Sequence, residues 1–265
     1  MPVFVLAGAA GALLLMPRAV RALHDDTSRL CAILDTSRSS HPPRLAIYGN
    51  SVAMFGLDAR VLGGWNFASP AQTFAEALLL QQELPRDVRT IVQVVTPWQL
   101  TEKIAVNSDH YNAMLMCGYR PRAESRAAVE RIFGATLDVH PLAARVYARR
   151  HIRAALEGLF VRNRRGGWLP ARQFEVVAAD SWPVNPAQVQ LLLASNADRR
   201  HVFVLAPIHP RLHPEPFRCP PQLDCVDFRT LLAEGEFQDP THPTPAGAVR
   251  LTRAVRDALA ARGLL

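Results

Sequence analysis

Two short segments of this chain carry residue types that do chemistry together. Gly49-Asn50-Ser51 follows the apolar run Leu45-Ala46-Ile47-Tyr48, and Asp239-Pro240-Thr241-His242-Pro243 precedes the last helix-like stretch. A serine directly after a buried strand can present its hydroxyl to a crevice and its backbone N–H to an oxyanion, because functional groups collect at the carboxyl ends of parallel strands. Three residues apart in a turn, Asp239 can accept from one ring nitrogen of His242 while the other nitrogen faces the crevice. That is the base and its orienting partner in a serine triad. Thr244 suits a helix N-cap and Pro245 the first helical position, so this loop is pinned where the helix begins. Each segment alone has a plainer reading: Gly-Asn-Ser as a turn and helix cap, Asp-x-x-His as a capping turn with an exposed histidine. Their combination, in this order, raises the expectation of nucleophilic catalysis.

The elements that must position these residues are readable in outline. Leu45 to Tyr48 is patterned as a buried parallel strand entering a tight turn at Gly49. A helix or turn is expected through Leu62, a second strand over Trp65-Asn66-Phe67-Ala68, and a helix from Gln72 to Leu84 that stops at Pro85. Arg89 to Val95 predicts a third strand, His201 to Ala206 a fourth and Cys225 to Phe228 a short fifth. Gln188 to Asn196 and Thr244 to Arg262 read as helices. Strands alternating with helices predict an α/β class with a parallel sheet covered on both faces. The expected division is a membrane-associated or signal-like segment over 1–22, a linker or short helix over 23–43, and an α/β domain over 44–265 with a helical insertion over about 123–165.

Composition narrows the partners. The 30 Lys and Arg exceed the 23 Asp and Glu by a formal +7, but the basic residues are spread along the chain. Such charge suits either a solvated, arginine-rich surface or attraction to phospholipid headgroups or acidic glycan. No zinc-finger spacing, aromatic RNA-binding motif or dense basic stripe appears, so no nucleic-acid partner is expected. Cys31, Cys117, Cys219 and Cys225 form no C-x-x-C pair; Cys219 and Cys225 are near enough for a disulfide, with buried thiols as the alternative. His209 and His213 are four apart, but the prolines of HPRLHPEP prevent the helical face that would align them on a metal. His110, Tyr111 and His140 are candidates for substrate contact or for the surface. The apolar run VFVLAGAAGALLLM over 3–16 is short for a bilayer span of about 20 residues, and Arg18 and Arg21 follow it.

From about Arg44 to Arg262, the strand, the Gly-x-Ser-type turn and the Asp-x-x-His before the final helix resemble the SGNH (GDSL-like) family of serine hydrolases and acyltransferases. The resemblance implies a flavodoxin-like three-layer α/β/α fold around a parallel sheet of about five strands. It implies a triad of Ser51, His242 and Asp239, an acyl-serine intermediate and no cofactor or metal. Asn50 stands where the family's first motif has Asp. Asn66-Phe67-Ala68-Ser69-Pro70-Ala71 matches the spacing of the second block, Asn-x-Gly-x-x-Gly, with alanines in the glycine places; the Ala71 N–H would donate to the oxyanion. Thr96-Pro97-Trp98-Gln99 falls on the third block without its asparagine. Trp98 takes that place, as an indole donor or as a packing residue. Members with weak second and third blocks and an N-terminal membrane segment modify O-acyl groups, such as acetyl, on cell-envelope polysaccharides. The expectation is therefore an esterase or O-acetyltransferase acting on an acylated carbohydrate or other ester. It would sit in the cell envelope, periplasmic or otherwise extracytoplasmic and membrane-anchored, with envelope-assembly proteins as partners. A cytoplasmic location is the alternative. The competing reading is an inactive SGNH-like protein that binds glycan or organises an envelope assembly. An unrelated nucleotide binder lacks its Gly-rich phosphate loop.

Overall fold

The structure, a computed structural model, describes residues 20–21, 25–39, 41–134, 136–137, 145–152, 183–195, 199–212 and 217–265. Its centre is a five-stranded sheet of β1 (Leu45–Tyr48), β2 (Gly64–Asn66), β3 (Thr90–Val95), β4 (Arg200–Leu205) and β5 (Cys225–Asp227). The order is β2-β1-β3-β4-β5 and every pairing is parallel. This is the flavodoxin-like doubly wound arrangement, in which the strand order reverses beside β1 and opens a crevice at the carboxyl ends.

Strand alternation divides the core in two. Leu45, Ile47, Val92, Val94, Val202 and Val204 point to one face, where they meet Val52 of α2 (Ser51–Gly56) and Leu251, Val255 and Leu259 of the C-terminal helix. Ala46, Tyr48, Ile91, Phe203 and Leu205 point to the other, against α1 (Asp25–Ser37), α3 (Phe74–Gln81) and α5 (Ser108–Met116). Both faces are dry, so these strands read as continuous apolar runs rather than alternating ones.

The remaining helices are α4 (Pro97–Thr101), α6 (Ala123–Phe133), α7 (Pro186–Ser195) and α8 (Pro245–Ala260). Thr73 caps α3 through a reciprocal capping box with Glu76, so this helix starts two residues later than the periodicity of Gln72 to Leu84 suggests. Within the 23–43 segment the helical alternative holds: α1 packs on α5, joined to it by the Cys31–Cys117 disulfide. A second disulfide joins Cys219 to Cys225. α4 and α5 were not anticipated. Residues 145–152 are helical, whereas the rest of the insertion beyond 137, with His140, lies outside the described residues, as do the apolar run at 3–16 and His213. No helix among the described residues is long and apolar enough to cross a membrane.

Candidate active site

Ser51 opens α2 at the carboxyl end of β1, and the turn before it depends on Gly49. This residue has φ +148°, and a Cβ there would stand 2.7 Å from the Ala53 Cβ and 3.0 Å from the Val94 Cβ. Glycine alone satisfies both the torsion and the approach. Asn50 then does two things at once. Its Oδ1 accepts from the Val52 N–H at 3.0 Å, capping α2, while its Nδ2 donates to the Thr96 hydroxyl at 2.9 Å. An aspartate could make the cap but not the donation to that oxygen, which itself donates to Gln99 Oε1 at 2.8 Å.

The other half of the site is prepared by the turn before α8. Asp239 Oδ1 accepts the N–H groups of Thr241 and His242, both at 2.8 Å, and the Thr241 hydroxyl at 2.9 Å. Oδ2 is left for His242 Nδ1, which donates to it at 2.8 Å. With the proton on Nδ1, Nε2 accepts the Ser51 hydroxyl at 2.8 Å. Thr244 caps α8 by accepting from the Gly247 N–H, and its own N–H donates to Glu236 O at 2.8 Å. A Cβ on Gly247 would fall 2.5 Å from that same carbonyl, so the loop closes onto the helix only with glycine there. Phe55, one turn along α2 from Ser51, sets its ring edge-on to the His242 imidazole with centroids 6.0 Å apart.

Burial pushes the Asp239 carboxyl up, but the hydrogen bonds from Thr241 and His242 and the imidazole's charge outweigh it and hold the group below the ordinary aspartate range. It therefore stays an anion through the range in which a histidine works as a base.

The sequence-predicted donors are placed differently from one another. Ala71 is exposed and has φ +51°, the left-handed region that a glycine would fill without strain. Its loop is tied to the Ser51 turn, because the Ser69 N–H donates to Gly49 O at 3.2 Å and the Gly49 N–H donates to Gln72 Oε1 at 2.9 Å. Among the described residues, neither the Ser51 N–H nor the Ala71 N–H has an acceptor. Trp98 is half-buried on α4 and packs against the apolar cluster that contains Val52 and Ala53. Asn66 serves the scaffold: its Nδ2 donates to Ala53 O and Leu57 O, both at 3.1 Å, and its Oδ1 accepts from the Ala68 N–H. His110 does not meet the triad. It is buried on α5 and pairs with Glu76 at 3.3 Å, and it is pulled in two directions: burial lowers its pKa, while the Glu76 hydrogen bond and nearby carboxylates raise it, with a net rise. His209 is buried beside Phe237, with centroids 5.2 Å apart, and its Nδ1 accepts from the Arg211 N–H.

A buried polar chain beneath the site was not foreseen. From Thr96 it runs through Gln99, whose Nε2 donates to Gln72 O at 2.7 Å, and Gln72 in turn holds the Gly49 N–H. All three side chains are at most 2 % exposed. The signal was present in Thr96-Pro97-Trp98-Gln99, a capping-box pattern with proline at the first helical position. A small hollow of about 20 Å³ lies at the same carboxyl edge, between Val95 and Thr96 of one strand end and Leu205 and Ala206 of the next. No cluster of potential metal ligands occurs among the described residues.

No family model and no curated protein matches this chain. A solved structure from Streptococcus pneumonia, provisionally described as a platelet activating factor, is similar over 95% of this chain and 99% of its own, with 11% identity and a TM-score of 0.43.

Proposed function

We propose that this protein is an SGNH-type serine acyl-ester hydrolase or O-acyltransferase. The observation that carries the reading is the hydrogen-bonded series Ser51 Oγ, His242 Nε2, His242 Nδ1 and Asp239 Oδ2, with 2.8 Å at each side-chain contact. His242 takes the Ser51 proton as Oγ attacks the ester carbonyl. The tetrahedral oxyanion is met by the backbone N–H groups of Ser51 and Ala71. The imidazolium then returns its proton to the leaving alcohol, and an acyl-serine remains. Water releases the acyl group in a hydrolase; a sugar hydroxyl receives it in a transferase. Trp98 bears on the site through packing of α4, with its indole as the remaining candidate donor.

The substrate we favour is an O-acetylated carbohydrate of the cell envelope, with the protein in an extracytoplasmic compartment and envelope-assembly proteins as its neighbours. Two disulfides fit an oxidising compartment. Reaction of the folded protein with a serine-directed fluorophosphonate tests the reading. Labelling of the wild type but not of Ser51→Ala is expected. A folded wild type that takes up no label would favour the competing role, an inactive glycan-binding or assembly protein.

A further inference from the structure

A large cavity lies at the opposite pole from the triad, and its wall is cationic. It measures about 690 Å³ and sits at the amino ends of β3 and β4, bordered by Arg86, Arg89, Arg122, Arg199, Arg200 and His201. The catalytic loops leave the carboxyl ends of the sheet. Six-residue strands rise about 20 Å, so the two places are separated by the length of the sheet. No Asp or Glu is among the described residues of the wall.

Part of this charge is structural. Arg199 donates to Gln81 O at 3.0 Å and Leu84 O at 2.9 Å, satisfying carbonyls at the end of α3, and Arg200 reaches Arg262 O at 3.4 Å. The other three guanidiniums have no such duty. Arg86, Arg89 and Arg122 are exposed and make no ion pair among the described residues; Glu83, close by in sequence, is held by Arg38 at 3.0 Å.

A further feature supplies donors without acceptors. Arg122 occupies the N-cap of α6 and gives no side-chain cap, so the first N–H groups of this 11-residue helix lack the acceptor that Ser, Thr, Asp or Asn would provide. Gln81, 6 % exposed in the same wall, turns its amide to His201 Nε2 at 3.0 Å, while His201 Nδ1 donates to Arg199 O at 2.9 Å. Guanidinium forks and an uncapped helix start suit the oxygens of one multiply charged anion.

We infer that this cavity binds a phosphate-bearing ligand carrying more than one negative charge. The site is independent of the catalytic reading, since none of its residues belongs to the triad or its supports. The same chemistry is offered by a phospholipid headgroup at a membrane surface and by a soluble phosphorylated molecule.

Calorimetric titration of the full chain with pyrophosphate, in a phosphate-free buffer of low ionic strength, tests the inference. Binding to the wild type is expected, weakened about tenfold or more in Arg89→Gln/Arg122→Gln. Arg86→Gln, exposed and unpaired, gives a second reading should the double variant melt early. Absence of binding to the wild type, or equal affinity in the folded variants, overturns the site. Sedimentation with vesicles containing phosphatidic acid, whose phosphomonoester headgroup can carry two charges, then identifies the source. Vesicle binding that pyrophosphate displaces assigns the headgroup, and pyrophosphate binding without vesicle binding assigns the soluble ligand; both uphold the anion site.

Discussion

His242 Nε2 accepts the Ser51 hydroxyl at 2.8 Å across 191 positions of sequence, while its Nδ1 donates to Asp239 only three positions away. The short separation sets the tautomer and the long one assembles the site. Asp239→Asn exploits that division. An amide turned toward Nδ1 with its NH2 group moves the ring proton to Nε2, which then cannot take the Ser51 proton. Ester turnover should fall about 10³- to 10⁴-fold at neutral pH with the fold intact. Wild-type kcat/KM in a folded Asp239→Asn protein would remove Asp239 from the mechanism.

Much of this geometry was legible in the sequence, for identifiable reasons. The strands β1, β3 and β4 announce themselves because a parallel strand covered on both faces admits almost only apolar residues. Asp239-x-x-His242 is legible because an Asx turn and a helix N-cap are local. What escaped depends on distant partners. The choice between linker and helix at Asp25–Ser37 is decided by packing on α5 and by a disulfide to Cys117, neither of which a local pattern contains. Gln72, Thr96 and Gln99 look like ordinary polar residues until the fold closes over them. Asn66 matches the spacing of the second block, yet its amide holds α2 to the end of β2.

The two disulfides differ in what they close. Cys31–Cys117 spans a separation of 86 residues and Cys219–Cys225 only 6. In the chain-entropy treatment, loops of those sizes correspond to about 4.5 and about 2 kcal/mol. Cys31→Ser should therefore lower the urea midpoint about twice as far as Cys219→Ser, provided reduction leaves the native packing unchanged. Equal losses would show that α1 is held to α5 mainly by its apolar face.

The acid–base balance around α3 and α4 predicts a stability that declines with rising pH. Burial, reinforced by the Glu76 charge, pushes the Glu102 carboxyl up to about 7, and Glu102 Oε2 is buried without a partner among the described residues. A carboxyl raised in the folded state binds its proton more tightly there than when unfolded. Its contribution is thus complete below the ordinary value of 4.5 and is lost as pH climbs through about 7. His110, also raised on balance, acts in the same direction above its ordinary 6.5. Asp239, depressed, acts oppositely but only near and below 3.8. Melting temperature should drop between pH 5 and pH 8, and Glu102→Gln should flatten that slope. A variant that falls as steeply as the wild type would place the effect elsewhere.

Ala71 carries a cost that glycine would remove. At φ +51° an L-residue is strained by about 1–2 kcal/mol, whereas a glycine gives back about 0.4–1 kcal/mol through the freedom of the unfolded chain. The first term is larger, so Ala71→Gly should raise the urea midpoint modestly, with m unchanged. The N–H is retained, so turnover should hold within about twofold of the wild type if the loop keeps its bonds to Gly49. Replacing the Ala71 backbone amide by an ester through semisynthesis removes the donor and leaves the side chain. That change should cost about 10²- to 10³-fold in kcat with little effect on KM, because the lost bond forms only as charge develops on the oxygen. A loss confined to KM would make Ala71 a substrate-binding residue and leave the oxyanion to the Ser51 N–H and the Trp98 indole.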